Sequence, residues 1–392
     1  MTNFFIKIIK YLIRKVKRFY EYSKYYTLYP IAKIIYKNRT IYLISERGND
    51  ARDNGYYMFR YIRETYPELE VYYVINKESV DYKKIKEIGN AVETKSIKHY
   101  LLFIGSQYKI STHIMGYAPD MLFYVSFNIK HRIPGKQIFL QHGIIKNDHT
   151  ALYAENTKVD MFVCGAKPEY EYVNSQFHYK RNEVKYTGLA RFDGLQKKCI
   201  KRQILIMPTW RVWLNNLTQK EFVESEYFKQ WSRVLNDEKL CAKLREENFQ
   251  LIFYPHYEVQ KYINSFVTTD SNVVIADFEN YDVQDLLKDS MLLVTDFSSV
   301  FFDFSYMEKP IIYYQFDEDK FNKEHYKKGY FDYRSMGFGD VIINHEELIT
   351  KILQYIESNF VFEEKYKNRV GNFFELKDTN NCSRIFKEIE EL

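Results

Sequence analysis

Short runs of apolar and β-branched residues alternate with longer amphipathic segments from residue 41 onward. Such runs are typical of buried parallel strands, and the segments between them are typical of crossover helices. The pattern predicts two series of five strands: 41–45, 71–75, 107–112, 137–141 and 160–164, then 203–208, 250–255, 272–276, 291–295 and 310–314. Residues 345–358 and 381–392 are predicted to form closing helices. The predicted fold is therefore α/β, with two parallel sheets.

The two series of strands predict two domains. A polar stretch, KKCIKR, separates them at 197–202 and predicts a hinge between Gly194 and Arg202. With 392 residues, 46% of them hydrophobic, the chain can build two cores. The predicted division is an N-terminal helix at 1–38, a first α/β domain at 39–196 and a second at 197–392 with the closing helices.

The first 24 residues combine an apolar helical face with basic flanks. Their net charge is +6, whereas the remaining 368 residues sum to −1. The apolar positions recur at helical spacing: Phe4, Phe5, Ile8, Ile9, Leu12, Ile13, Val16, Phe19 and Tyr20. This pattern predicts an amphipathic helix on an anionic membrane surface. The alternative is a helix docked on the protein's own core with a solvated basic side.

Other classes of protein are excluded by charge and composition. The sequence contains no run of about 18 uncharged apolar residues, so a transmembrane span is not predicted. No cleavable signal peptide is evident either. Outside the first 24 residues the charge is near neutral, which argues against nucleic-acid binding. The four cysteines have no CxxC spacing, so neither a zinc site nor a disulfide framework is predicted, and a reducing, cytosolic setting is favoured.

Two histidines follow predicted strands in opposite halves of the chain. His142 comes after QIFLQ and precedes Gly143, which allows a ligand to approach closely. His256 follows QLIFYP in the second half. Because ligands of open parallel sheets bind beyond the carboxyl ends of the strands, both imidazoles are predicted at one cleft. Histidine is a proton acceptor near neutral pH, although each could instead be a hydrogen-bonded structural residue.

The segment LLVTDFSSVFFDFSYMEKPIIYY at 292–314 reads as strand, polar turn, helix and strand. Thr295, Asp296, Ser298 and Ser299 occupy the turn where the helix must begin. A helix start offers free N–H groups and the positive end of the dipole, and serine hydroxyls add donors. The turn is therefore a candidate phosphate site, with ordinary helix capping as the alternative.

Two arginines are further candidates for phosphate contact. The strand-end segment MPTWR presents Thr209 and Arg211, and TGLARFD places Arg191 at a turn before the hinge. Arginine suits bidentate phosphate contact, while a surface arginine or hinge structure is the alternative. Metalloprotease, hydrolase-elbow and P-loop signatures are absent from the sequence, and no metal ligands are assigned.

These motifs together resemble the CDP-glycerol glycerophosphotransferase family of teichoic acid synthesis, which includes glycerol and ribitol phosphotransferases. The resemblance rests on SERGNDARDNGYYMF at 45–59, QHG at 141–143, TGLARFD, PTWR, PHY at 255–257, and TDFSSVFFDFSYMEKPIIYY, in family order. It implies the GT-B architecture of two facing Rossmann-like domains. It also implies transfer of glycerol phosphate or ribitol phosphate from a CDP-activated donor to a hydroxyl, with release of CMP.

The resemblance carries roles to matching positions. His142 would be the general base, and His256 would assist at the diphosphate. Ser298 and Ser299 would hold the donor phosphates, with Arg211 and Arg191 as weaker candidates for the same charge. The implied acceptor is a lipid-linked saccharide or polyol phosphate of teichoic acid or capsule synthesis, at the cytoplasmic face of the membrane. The donor is CDP-glycerol or CDP-ribitol, and the need for a divalent metal and the oligomeric state stay open.

The chain departs from the family at two positions. Gln141 stands where Trp is frequent before HG, and Val212 stands where an acid often follows PTWR. One alternative is a GT-B glycosyltransferase with a nucleotide-sugar donor for capsule synthesis. Such enzymes carry a histidine-proline pair, whereas here Pro255 precedes His256. Another is a non-catalytic module that binds polyol-phosphate polymers.

Overall fold

A computed structural model describes residues 2–121, 124–125, 133–195, 200–325 and 327–392. Thirteen strands form two sheets in this part of the chain. The first sheet contains β1 (Ile41–Ser45), β2 (Glu70–Ile75), β3 (Asn90–Glu93), β4 (Tyr108–Ser111), β5 (Lys136–Phe139), β6 (Met161–Cys164) and β7 (Val184–Tyr186). The second contains β8 (Gln203–Ile206), β9 (Gln250–Phe253), β10 (Val273–Ile275), β11 (Leu292–Thr295), β12 (Ile311–Tyr314) and β13 (Gly339–Ile342).

Both sheets are parallel and each has a central reversal of strand order. The orders are β3-β2-β1-β4-β5-β6-β7 and β10-β9-β8-β11-β12-β13. Every residue of the central strands β1, β4, β8, β11 and β12 is buried, as expected for sheets covered on both faces. All ten predicted strands are confirmed. The three that the pattern missed, β3, β7 and β13, are edge strands of three or four residues, where burial is less complete and the apolar run is short.

Helices cover both sheets. Those of the first half are α1 (Thr2–Ile35), α2 (Asn54–Thr65), α3 (Tyr82–Ile88), α4 (Ile97–Gly105) and α5 (Lys167–Gln176). The second half adds α6 (Gln219–Val223), α7 (Glu226–Leu235), α8 (Glu238–Glu246), α9 (Tyr257–Gln260), α10 (Val283–Asp289), α11 (Val300–Tyr306), α12 (Glu318–Glu324), α13 (His345–Glu357), α14 (Glu364–Phe373) and α15 (Asn381–Glu390).

The last helix, α15, returns to the first half of the chain. The ring of Phe386 packs 4.7 Å from that of Tyr66 and 5.9 Å from that of Tyr42. The Asp193 carboxylate accepts hydrogen bonds from the backbone N–H groups of Asn381 and Cys382. The closing segment predicted at 381–392 therefore covers the first sheet. The predicted boundary at 196/197 and Cys199 lie outside the described residues, so the domain limits stay a prediction.

The N-terminal helix α1 has a docked part and a protruding part. Tyr25 and Ala32 are buried in a cluster that includes residues of α4. In contrast, Ile9, Val16 and Phe19 are 54%, 68% and 74% exposed. The docking alternative therefore applies to the second half of this helix. The side chains of residues 2–8 and 10, including Phe4, Phe5 and Ile8, lie outside the described part.

Candidate active site at the cleft between the two sheets

His142 lies at the mouth of the first sheet, beyond the end of β5. The preceding residue, Gln141, has a φ of +60°, and this left-handed turn redirects the chain after the strand. The imidazole is accessible to solvent, yet protein surrounds it closely, and this enclosure lowers its pKa. The positive charges of Arg47 and Arg191 lower it further, whereas the Asp53 carboxylate opposes them. The ring is therefore a neutral, accessible base at physiological pH.

A second histidine, His113, stacks on His142 with ring centroids 4.9 Å apart and planes 11° from parallel. Its Nδ1 lies 2.9 Å from the Thr112 hydroxyl, and its Nε2 accepts a hydrogen bond from Arg47 Nε at 3.3 Å. Burial lowers the pKa of His113 to about 3, so this ring is uncharged. His113 follows β4 just as His142 follows β5, and applying the strand-end rule to β4 would have found it.

Arg191 does not have the role predicted for it. Its guanidinium is buried and donates two hydrogen bonds to Asp303, at 2.6 and 2.8 Å, and one to Asp53 at 2.6 Å. The Nη1 atom also donates to the backbone oxygen of His142 at 2.8 Å. Two carboxylates already neutralise this cation, so it is not available to a phosphate. It instead joins the His142 loop to α11 of the second half.

Two buried glutamates shape the loops around His142. Glu46 accepts hydrogen bonds from the backbone N–H groups of Asp53 and Tyr56, at 3.1 and 2.7 Å. Glu169 accepts from those of Ile145 and Gly165, at 2.6 and 2.7 Å. Burial raises the pKa of Glu169 to about 7. These side chains satisfy backbone donors in loops that have no strand partner, as buried N–H groups require.

The turn after β11 meets the His142 loop across the cleft. A Cβ placed on Gly143 would lie only 3.1 Å from Ser299 Oγ, so the glycine permits the close approach of this serine. Ser299 occupies the N-cap position of α11, but its side chain makes no capping hydrogen bond. The hydroxyls of Ser298 and Ser299 make no hydrogen bond to any described residue. The Ser299 side chain therefore does not cap the helix, as the alternative reading of this turn would require of it.

The other residues of this turn hold the fold together. Asp296 is fully buried and accepts hydrogen bonds from the backbone N–H groups of Thr209 and Phe297. Its second oxygen pairs with Arg211 at 2.9 Å, and Asp317 binds the same guanidinium through two further bonds. The Thr295 hydroxyl donates to the Met207 oxygen.

This network corrects the predicted role of Arg211. Its side chain is fully buried between two carboxylates and aromatic rings, and it also donates to the backbone oxygen of Thr209. A phosphate cannot reach a guanidinium in this position. Arg211, Asp296, Thr295 and the Thr209 backbone instead position the loops that end β8 and β11.

His256 faces the same cleft from the second half. Its Nδ1 accepts a hydrogen bond from the Glu258 backbone N–H at 3.2 Å, which leaves the proton of the neutral ring on Nε2. Enclosure, together with the charges of Arg47 and His142, lowers its pKa to about 4. Trp210 stacks beside the ring at 6.2 Å. The ring is thus a neutral hydrogen-bond donor within electrostatic range of His142.

No metal site accompanies these groups in the described ranges. They contain no cluster of three or more His, Cys, Asp or Glu side chains arranged to hold an ion. Three cysteines, Cys164, Cys241 and Cys382, are buried free thiols. The cleft therefore brings together neutral imidazoles, hydroxyls and the exposed cation of Arg47.

Comparison with known proteins shows the family to which the chain belongs. The family CDP-Glycerol:Poly(glycerophosphate) glycerophosphotransferase matches residues 26–391. The chain belongs to this family. The minor teichoic acid biosynthesis protein GgaB of Bacillus subtilis (strain 168) is 36% identical over 91% of the chain, which spans only 40% of GgaB. A teichoic acid glycerol-phosphate transferase of Staphylococcus aureus (strain NCTC 8325 / PS 47) is 26% identical over 95% of the chain and 98% of its own length.

A solved structure supports the fold of this family member. The wall teichoic acid polymerase TagF superposes with a TM-score of 0.70 at 17% identity, over 98% of this chain and 97% of that chain. The predicted GT-B architecture with two facing Rossmann-like halves is confirmed. The family match and this structural likeness thus agree on the fold of the chain.

Proposed function

We propose that this family member transfers glycerol phosphate or ribitol phosphate from a CDP-activated polyol to an acceptor hydroxyl and releases CMP. The observation that carries the proposal is the meeting of a neutral, accessible imidazole, His142, with the uncommitted hydroxyls of Ser298 and Ser299 across one cleft. His256 completes the cleft from the second half. A base on one side and phosphate donors on the other are what phosphoryl transfer requires.

The proposed reaction is an in-line displacement at phosphorus. His142 takes the proton of the acceptor hydroxyl, whose oxygen forms a bond to the polyol-bearing phosphorus. The bond from that phosphorus to the bridging oxygen breaks, and the electron pair leaves with CMP. Asp53 stabilises the imidazolium that forms, since its carboxylate favours the charged ring. Arg191 supports this geometry by holding Asp53 and the His142 backbone.

The second half would stabilise the negative charge that develops on the CMP leaving group as the diphosphate bond breaks. His256 presents Nε2–H, and the serine hydroxyls add two donors on the same side of the cleft. Among relatives, a TagF variant was soaked with CDPG, which supports a CDP-glycerol donor. A teichoic acid poly(ribitol-phosphate) polymerase of Bacillus spizizenii is 26% identical over 48% of the chain, so CDP-ribitol is kept as the second donor.

Replacing both Ser298 and Ser299 with alanine tests the donor site. Each hydroxyl bound to a charged phosphate contributes about 1.5–3 kcal/mol, so donor affinity should fall at least tenfold, as measured by calorimetric titration. Ser225→Ala is the matched control, because Ser225 caps α7 through its hydroxyl. The control should lower stability and leave donor affinity unchanged. Equal donor affinity in the double variant and the wild type would refute the proposed role.

We further propose that α1 attaches the enzyme to the cytoplasmic face of the membrane, where a lipid-linked saccharide or polyol-phosphate acceptor would be presented. The protruding part exposes Ile9, Leu12, Val16 and Phe19 along one face. Basic residues occupy the rest of this segment, as interfacial helices require. In the described ranges no helix is long and apolar enough to cross a membrane.

Deleting residues 1–20 should release the protein from vesicles of phosphatidylglycerol and phosphatidylethanolamine in a sedimentation assay. The docked residues from Glu21 onward would remain, so turnover of a soluble acceptor should persist. A triple variant of Val80, Val267 and Val361 to serine is the control, since these residues are also exposed but lie elsewhere. Unchanged sedimentation after the deletion would defeat the anchoring proposal.

The reaction itself is tested by incubating the enzyme with CDP-glycerol or CDP-ribitol and a lipid-linked or soluble acceptor, followed by mass spectrometry of the product. An increment of one polyol phosphate with release of CMP supports the proposal. A sugar increment from a nucleotide-sugar donor would indicate the glycosyltransferase alternative. Binding of the polymer without turnover of any donor would indicate the non-catalytic module.

A further inference from the structure

Three lysines are buried in the described part of the chain, and one of them differs from the other two. Lys109 donates to the backbone oxygens of Ser106 and Pro134, at 2.9 and 2.5 Å. Lys309 donates to three backbone oxygens at 2.6–3.0 Å, those of Leu287, Lys288 and Ser290. Lys146 is only 7% exposed, yet its ammonium has no hydrogen bond or ion pair with any residue that the structure describes.

Lys146 Nζ is not among the fully buried unsatisfied atoms, so it reaches solvent although most of its side chain is enclosed and no described residue pairs with it. Buried charges are ordinarily paired, and burial without a partner favours the neutral form. Burial accordingly lowers the pKa of Lys146 to about 8. A lysine with a lowered pKa at a cleft is a candidate for binding a ligand that carries negative charge.

Lys146 lies four residues after His142, where the two halves meet. A Cβ on Gly329 would lie 2.3 Å from the Lys146 backbone oxygen, so the segment around Gly329 covers this loop closely. Next to it, Asp148 N–H donates to the Lys327 backbone oxygen at 3.1 Å, and the two side chains form an ion pair. The lysine is thus held by backbone contacts between the halves.

Within the described ranges, no carboxylate is free to act as the counter-ion of the Lys146 ammonium. Asp296 is the carboxylate whose charge acts on it, but both oxygens of Asp296 are already bound, to Arg211 and to backbone N–H groups. Burial lowers the pKa values of His149 and His325, each to about 4, and the charge of Lys146 acts on both in the same direction. Its Nζ lies 5.9 Å from the centre of the Tyr333 ring. His149 in turn interacts with His142, which links this group to the catalytic cleft.

We propose that Lys146 binds a substrate phosphate in the cleft and supplies the cationic contact expected of Arg211 and Arg191. The inference deepens the proposed function and rests on it. Two substrates could bring that phosphate: the diphosphate of the CDP-polyol, or the terminal phosphate of a polyol-phosphate acceptor. A compact ammonium suits either, because it acts as a point charge toward phosphate oxygens.

The test compares the wild type with Lys146→Met and Lys146→Arg by calorimetric titration with CDP-glycerol, CDP-ribitol and cytidine. If the donor supplies the phosphate, Lys146→Met should weaken CDP-polyol binding by about tenfold to a hundredfold, leave cytidine binding unchanged, and Lys146→Arg should retain part of the affinity. If the acceptor supplies it, donor affinity should hold while KM for a soluble polyol-phosphate acceptor rises by a similar factor. No change in either quantity would overturn the inference.

Thermal unfolding separates this role from a structural one. Because the ammonium of Lys146 is unpaired, Lys146→Met should leave the Tm of the free protein unchanged or raise it. Lys309→Met is the control and should lower Tm, since it strands backbone oxygens that the ammonium satisfies. A fall in Tm for Lys146→Met as large as that of the control would argue for a structural lysine and against the inference.

Inorganic pyrophosphate keeps the inference testable independently of the proposed function. If the wild type bound no CDP-polyol, the proposed function would fail. Weaker pyrophosphate binding by Lys146→Met than by the wild type would still support the phosphate contact. Equal binding of pyrophosphate by both would refute it.

The pH dependence gives a further readout. Between pH 7 and 9 His149 and His325 stay neutral, and burial keeps the pKa of Tyr333 well above 10. Lys146 is then the member of this group that loses its proton, so wild-type phosphate affinity should fall as the pH rises through 8. The affinity of Lys146→Met should stay flat over that range, and parallel curves would contradict the proposal.

Discussion

Replacing His142 with alanine is expected to reduce transfer by about a thousandfold, within the range of about 10² to 10⁴ found for a general base. Donor binding should be retained, because the proposed diphosphate contacts come from Ser298, Ser299, His256 and Lys146 and not from His142. The measurement is CMP release under saturating donor, combined with calorimetric titration of CDP-glycerol. His178→Ala is the control, since His178 is exposed and pairs with Glu155 at 3.2 Å, away from the cleft.

The pH profile adds a check on the same role. A base must be neutral to accept the proton, and enclosure and nearby arginines lower the pKa of His142 below its ordinary 6.5. Activity should therefore persist below pH 6.5 and be lost as the pH falls through the lowered pKa. Two results would contradict the assignment. One is CMP release by His142→Ala at the wild-type rate. The other is a His142→Ala variant that binds the donor less tightly but turns over the bound donor at the wild-type rate.

Replacing Arg211 with methionine is expected to lower the free energy of unfolding by about 3–5 kcal/mol, because it leaves buried carboxylates without their partner. The charged form of Asp296 would lose the most stabilisation, because this carboxylate is fully buried and burial already raises its pKa. All three tryptophans, Trp210, Trp213 and Trp231, lie in the second half. Their fluorescence during urea denaturation therefore reports the unfolding of the half that contains Arg211.

Arg202→Met provides the matched comparison. Arg202 is 53% exposed and pairs with Glu247 on the surface, so its loss should change the unfolding free energy by about 0.5 kcal/mol or less. The structural role of Arg211 requires that donor affinity in the folded fraction stay close to that of the wild type. Normal stability combined with a large loss of donor affinity would instead support phosphate binding by Arg211.

The strand pattern and the strand-end rule predicted much of this molecule. Buried parallel strands produce continuous apolar runs, so ten of the thirteen strands were evident, and the missing three are short edge strands. The rule also led to His142, Gly143, His256, Ser298 and Ser299, which the structure brings to one cleft. The same rule applied after β4 would have added His113.

The predicted roles of the arginines failed for a specific physical reason. A sequence shows that Arg191 and Arg211 stand at strand ends, but it does not show their distance from a carboxylate. Asp303 follows Arg191 by 112 positions and Asp317 follows Arg211 by 106. Only folding brings these residues within hydrogen-bond distance of each other, where the carboxylates pair with each guanidinium.

The sequence by itself determined the family, the two parallel sheets and the side chains at the ends of their strands, because apolar periodicity and local motifs depend on neighbouring residues. The tertiary structure decided which of those side chains remain available to a substrate. Carboxylates hold Arg191 and Arg211, the Ser299 hydroxyl does not cap its helix, and Lys146 is a largely buried lysine with no charged or hydrogen-bonded partner among the described residues. The physical reason is that pairing and desolvation of a charge depend on residues distant in sequence, which only the folded chain brings together.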